Sequence, residues 1–328
     1  MPQRRDYIDE LKGLGILLVV LGHFIEQYRM GYSFVSASFF CIYAFHMALF
    51  CICSGLVARF NPRKLVTQQL WLYLVGQTLM LAFRAAVLRE NFAETGGLLA
   101  AWLLPWRHIW YLYALIFWHL TLPVLCRLRD RLGLAGSCLG MALAVGLALA
   151  AGLVDWPFTL VRVFAFYPFY ACGVLLRPQL DRLAALVAAA GLVLGYGAYF
   201  LWVLRADPIM DHSAELFHDV SYAGGDRVQY RVVFYLVGIV TTAALTVLAS
   251  RRHLLAGLGR HTLAIYLLHL PVQALLVELG LYDLMRGKAT IVVVLWSVLL
   301  AAVTLAVLNL SPVQRACDAV ANCWYKRK

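Results

Sequence analysis

The segment LAGSCLGMALAVGLALAAGLV, Leu134 to Val154, runs for 21 residues without one charged side chain. A helix of about 20 mostly apolar residues crosses the hydrocarbon layer of a bilayer. Reading outward in both directions finds the same kind of run again and again. We expect ten spans in all. They run roughly from Leu11 to Tyr28, Phe34 to Ala58, Leu65 to Phe83, Ile109 to Leu125, Leu134 to Val154, Val161 to Leu176, Leu183 to Leu204, Val232 to Ala249, Thr262 to Leu279 and Ala289 to Leu308. Pro157 precedes the sixth and Pro168 lies inside it.

Composition agrees. Of 328 residues, 63% are hydrophobic and 14% charged, where a soluble domain has roughly 45–50% and about 25%. A soluble fold could not hide so much apolar surface. Disorder and a disulfide-stapled secreted scaffold are excluded too. A transmembrane β-barrel would show short alternating strands rather than long continuous runs. Lipid cannot satisfy open backbone groups, so helices remain. The expected fold is an all-α polytopic membrane helix bundle of about ten transmembrane helices, one integral domain over residues 1–328.

The net charge of +11 reports orientation rather than nucleic-acid binding, since no basic recognition helix stands outside the apolar runs. With both termini in the cytoplasm, 18 of the 28 Lys and Arg fall inside, at least two in every inside segment. The basic start could imitate a signal peptide. No small-residue cleavage site follows, so we expect a retained first span. The expected location is a bacterial inner (plasma) membrane. The polar stretch Arg205 to Arg231, with Asp207, Asp211, His212, Glu215, His218, Asp219 and Asp226, reads as an outside loop. The eight Cys form no CxxC pair and read as packing residues; no metal site is expected.

Ionisable groups inside a span are expensive and mark function. Lys12 and His23 are eleven residues apart, so they share one helix face about 16.5 Å apart along the axis. That puts Lys12 at the cytoplasmic edge and His23 near the bilayer middle. Glu26 follows His23 within side-chain reach. His46 stands about 20 Å from Arg59, at a similar depth to His23. His269 follows Tyr266 by one turn in the ninth span. A His in this setting can be a general base or a nucleophile.

Arg5-x3-Asp9-x2-Lys12-Gly13, running to Gly22-His23, resembles the opening signature of the integral membrane acyltransferase family 3. Phe45-His46-Met47-Ala48-Leu49-Phe50 with Ser54-Gly55 is similar to its second-helix motif. Trp110-Tyr111-Leu112 and Thr262-Leu263-Ala264-Ile265-Tyr266-Leu267-Leu268-His269 resemble its middle and late motifs. The resemblance is closest to the branch of fucose 4-O-acetylase and related acetyltransferases. It implies transfer of an acetyl group from acetyl-CoA, taken from the cytoplasm, to a carbohydrate hydroxyl outside, with no metal. Family members often carry Arg-x2-Arg after the second helix, where this chain has Arg59-x3-Arg63 with Lys64.

The expected catalytic residues are His23 as base, Glu26 as its orienting carboxylate and His46. Lys12, Arg59, Arg63 and Lys64 are expected to hold coenzyme A. Trp110, Tyr266 and His269 are expected to bind the acceptor, a glycan or lipid-linked sugar. The alternative is a secondary transporter with His23, Glu26 and Glu278 on its path. Hydrolysis of acetyl-CoA by the purified protein discriminates the two.

Overall fold

The computed structural model describes residues 6–176, 218–251 and 254–325. Among these every regular element is a helix. The principal ones are α1 (Asp6–Glu26), α2 (Ser33–Tyr43), α3 (His46–Val57), α4 (Trp71–Ala86), α5 (Gly97–Leu103), α6 (Trp110–Ala151), α7 (Leu160–Leu175), α8 (Val228–Arg251), α9 (Thr262–Glu278), α10 (Thr290–Leu308) and α11 (Ser311–Asn322). A π-helix, Leu65–Leu70, leads into α4. Four helical stretches are long and apolar enough to cross a membrane: Ser33–Val57, Arg107–Ala151, Val228–Ala249 and Thr290–Leu308. Leu160–Leu175 and Thr262–Glu278 are apolar but shorter. The expected seventh span, Leu183 to Leu204, lies outside the described residues.

Two expectations are corrected. The second span is not one helix. It breaks at Ala44-Phe45, where Phe45 leaves helical backbone geometry (φ −144°, ψ −21°). Ile42 O then accepts from the His46 ring at 2.9 Å, so the break is sealed by the side chain it displays. His23 lies in the last turn of α1, which ends at Glu26. Arg231 belongs to α8 rather than to a loop, and it is fully buried.

The fourth and fifth spans follow one another directly in α6, and Gly133 breaks the helix between them at φ 58°, ψ −129°. A straight helix of 42 residues would reach about 63 Å, twice the hydrocarbon thickness. Instead the chain reverses. Arg129 and Ser137, on either side of Gly133, donate to Val174 O and Leu175 O in the last turn of α7. Trp118 donates to Val163 O near the other end of α7. Only glycine adopts this backbone without strain, so a single residue turns one long helix into two antiparallel arms around α7.

α1 is the hub: it packs on α2, α3, α8, α9, α10 and the helical turn Ala256–Gly259. Its buried Leu11, Ile16, Val20 and Phe24 face neighbours all round. α3 and α7 meet backbone to backbone. A Cβ at Gly55 would lie 2.2 Å from Tyr170 O, and one at Gly173 would lie 2.2 Å from Ile52 O. Small residues permit this approach between membrane helices. Gly173→Val is expected to force the pair apart at a cost of about 1–3 kcal/mol. Thermal unfolding in detergent measures it, and an unchanged midpoint would refute the close crossing.

Candidate active site

Near the Glu26 end of α1, several elements surround a cavity of about 410 Å³. α1 supplies Val19, His23 and Glu26; α2 and α3 supply Tyr43, His46 and Met47. The segment before α6 supplies Pro105, Arg107 and His108, and α6 itself Trp110. α7 adds Arg162 and Phe166, Asp219 comes from the chain before α8, and α9 adds Tyr266. The volume suits a small organic ligand.

His23 Nδ1 lies 3.2 Å from Glu26 Oε2 and 2.9 Å from the Tyr43 hydroxyl. A carboxylate only accepts, so the Glu26 contact holds the ring proton on Nδ1 and leaves a lone pair on Nε2. Gln273 donates to His23 O and fixes the backbone beneath it. His46 Nδ1 donates to Ile42 O, so its Nε2 is an acceptor as well. His108 Nε2 donates to Leu267 O, leaving Nδ1 buried and without a partner. His269 is fully buried and donates from Nδ1 to Ile265 O and Tyr266 O. Its ring centre is 5.3 Å from that of His23 and 5.0 Å from that of His108. Tyr266 ties the cluster together by donating to His108 O. Four imidazoles from four parts of the chain therefore converge, at least three of them with a lone pair. Among the described residues no three His, Cys, Asp or Glu are placed to hold a metal ion.

Backbone strain gathers at the rim. Arg107 (φ 39°) and Thr159 (φ 59°) line the cavity, and His218 (φ 48°) adjoins Asp219. Positive φ at such residues persists only where surrounding structure enforces it, as at ligand clamps.

A family model described as an acyltransferase domain (acyltransferase 3) matches residues 5–310. The chain belongs to this acyltransferase family. No curated protein and no solved structure matches. Acyl transfer needs a base for the acceptor hydroxyl and a site from which water is largely excluded. The His23–Glu26 pair, set in an apolar and aromatic wall, has the form of the first.

This acyltransferase brings together six of the residues expected from sequence. His23, Glu26, His46, Trp110 and Tyr266 line the cavity, and His269 backs it. The expected coenzyme cations lie elsewhere. Lys12 is half-buried farther up α1, and Arg59, Arg63 and Lys64 are exposed beyond α3. Arg63 and Lys64 both stack on Tyr325, at 5.6 and 5.4 Å. Among the described residues no hydrogen bond or ion pair joins them to Lys12 or Arg59.

Sequence reading missed Tyr43, Arg107, His108, Arg162 and Asp219. Arg162 binds Asp219 at 2.6 Å and lies over the Trp110 ring. A signal existed for two of them. Trp106-Arg107-His108 directly precedes the Trp110-Tyr111-Leu112 motif, and a His between two Trp at a span boundary is worth reading as site rather than loop. Asp219 carries no such mark, because its role depends on where the chain before α8 returns.

Proposed function

We propose that this protein is a membrane-bound O-acetyltransferase of the fucose 4-O-acetylase type. It takes acetyl-CoA from the cytoplasm and esterifies a sugar hydroxyl of a cell-surface or exopolysaccharide acceptor on the other side of a bacterial inner membrane. In this reading about ten spans, with both termini cytoplasmic, separate the face that meets acetyl-CoA from the face that meets the acceptor. The observation that carries the reading is the His23–Glu26 pair, with Nε2 left as a base, inside a chain of acyltransferase family.

His23 Nε2 takes the proton of the acceptor hydroxyl as its oxygen attacks the thioester carbonyl. The carbon–sulfur bond breaks, and the imidazolium returns the proton to the leaving thiolate. Products are the acetyl ester and free coenzyme A. Glu26 holds the imidazolium in place, as the carboxylate of a triad does. His46 accepts from another hydroxyl of the sugar, and Trp110 offers a stacking face.

The test is coenzyme A release from acetyl-CoA by the purified protein in detergent, with and without sugar acceptors. No release under any condition would overturn the proposal. Within it, Arg59, Arg63, Lys64 and Lys12 hold the coenzyme phosphates, about 20 Å from the His46 level along α3. Arg63→Glu is expected to raise the KM for acetyl-CoA more than about tenfold, the scale of one lost charge-assisted contact. An unchanged KM in folded protein would remove Arg63 from the donor site.

A further inference from the structure

The charges lining the cavity are Glu26, Arg107, Arg162 and Asp219. Two of them neutralise each other, since Arg162 is bound to Asp219. Glu26 is engaged with His23. Arg107 is different. It lines the same cavity, is exposed, and among the described residues makes no ion pair; its guanidinium lies 5.8 Å from the Trp106 ring centre. Its backbone is held at a positive φ between Trp106 and His108.

The other polar groups on these walls are mostly acceptors. His108 Nδ1 and His46 Nε2 carry lone pairs because each ring spends its proton on a backbone carbonyl. Glu26 accepts as well. Such a surface suits the hydroxyls of a sugar, which donate. A guanidinium only donates and keeps its charge at any relevant pH, so it complements an oxyanion instead. Arg107 shares the cavity with His46 and Glu26, so the ligand they fit carries an anionic group as well as hydroxyls.

We infer that the acceptor is an anionic sugar, bearing a carboxylate or a phosphate that Arg107 binds. The inference rests on this cavity being the acceptor site of the proposed transferase. It is tested by calorimetric titration of the purified full chain with glucose, glucuronate and glucose 1-phosphate. At least one anionic sugar is expected to bind about tenfold or more tightly than glucose. The stronger of the two identifies carboxylate or phosphate as the source of the charge. Arg107→Gln is expected to erase the preference, and Arg107→Lys to retain part of it. Because Arg107 is exposed, neither change opens a core. Glucose binding as tightly as both anions, or a preference that survives in Arg107→Gln, overturns the inference. Coenzyme A release on the same preparation separates the two readings. Anion preference without release would leave the binding site and remove the transferase, and release without preference would do the reverse.

Discussion

His23→Ala is expected to lower acetyl transfer by about 10²–10⁴-fold, the usual loss when a general base is removed. The protein should still fold. His23 is only half-buried, and the group that anchors its backbone is Gln273, which binds the carbonyl and not the ring. Loss of the imidazole removes the contacts to Glu26 and Tyr43 and the tilted ring contact to His269, but opens no deep cavity. Coenzyme binding should survive, since the proposed phosphate site lies at the far end of α3. Glu26→Gln should act in the same direction but less, because it keeps a hydrogen-bond acceptor and loses the charge that steadies an imidazolium. It should also shift the pH profile of kcat, which a packing defect would not do. Transfer at the wild-type rate in His23→Ala would dismiss His23 as the base. Loss of binding together with loss of transfer would reduce it to a structural histidine.

The reach of the sequence can be judged from these residues. His23 and His46 were legible because both stand in apolar helices, where an ionisable group is costly and so conspicuous. Their distance along the helix from the basic residues followed from the rise per residue. The continuity of the second helix did not, because Ala44 and Phe45 carry no breaking residue; packing bends the chain there. Gly133 was equally quiet, one glycine among 24, yet its backbone sets where α6 reverses. Arg107, Arg162 and Asp219 were counted only as loop and boundary charges. Their convergence depends on α7 lying between the arms of α6 and on the path of the chain into α8, which no local pattern encodes. The coenzyme cations show the opposite limit. The sequence grouped them by side of the membrane, and the fold sets Arg63 and Lys64 against Tyr325 without joining them to Lys12 or Arg59.

The second large effect expected is on stability, at a cluster that flanks the cavity. Arg231 and His218 are fully buried and Asp226 nearly so. Arg231 donates to Asp226 Oδ2, to Ala148 O and to Val220 O, and lies 4.8 Å from the Tyr222 ring centre. His218 Nδ1 lies 3.1 Å from the same carboxylate. The cluster ties the start of α8 to the second arm of α6 and holds the chain on which Asp219 reaches Arg162. Arg231→Met leaves Asp226 buried with one cationic partner fewer, and breaking such a pair costs about 3–5 kcal/mol. Asp226→Asn keeps an acceptor for Arg231 but leaves the buried guanidinium without a counter-charge, so a comparable cost is expected. The double variant should be less destabilised than the two losses added, because the groups share one network. Acid should reveal the cluster as well. Burial holds His218 below its ordinary pKa. Burial alone would raise Asp226, but the hydrogen bonds and charges of His218 and Arg231 outweigh it and hold the carboxyl low. In both cases the unfolded chain binds the proton more readily, so stability is full at neutral pH and falls as pH drops, first through His218 from about pH 6.5 and then through Asp226 below about pH 4. Thermal midpoints in detergent between pH 7 and pH 4 should fall in the wild type and fall more steeply in Asp226→Asn, which removes the carboxylate that favours protonated His218. If Arg231→Met melts with the wild type at neutral pH, the cluster bears no load, and the position of Asp219 at the cavity must be set by something else.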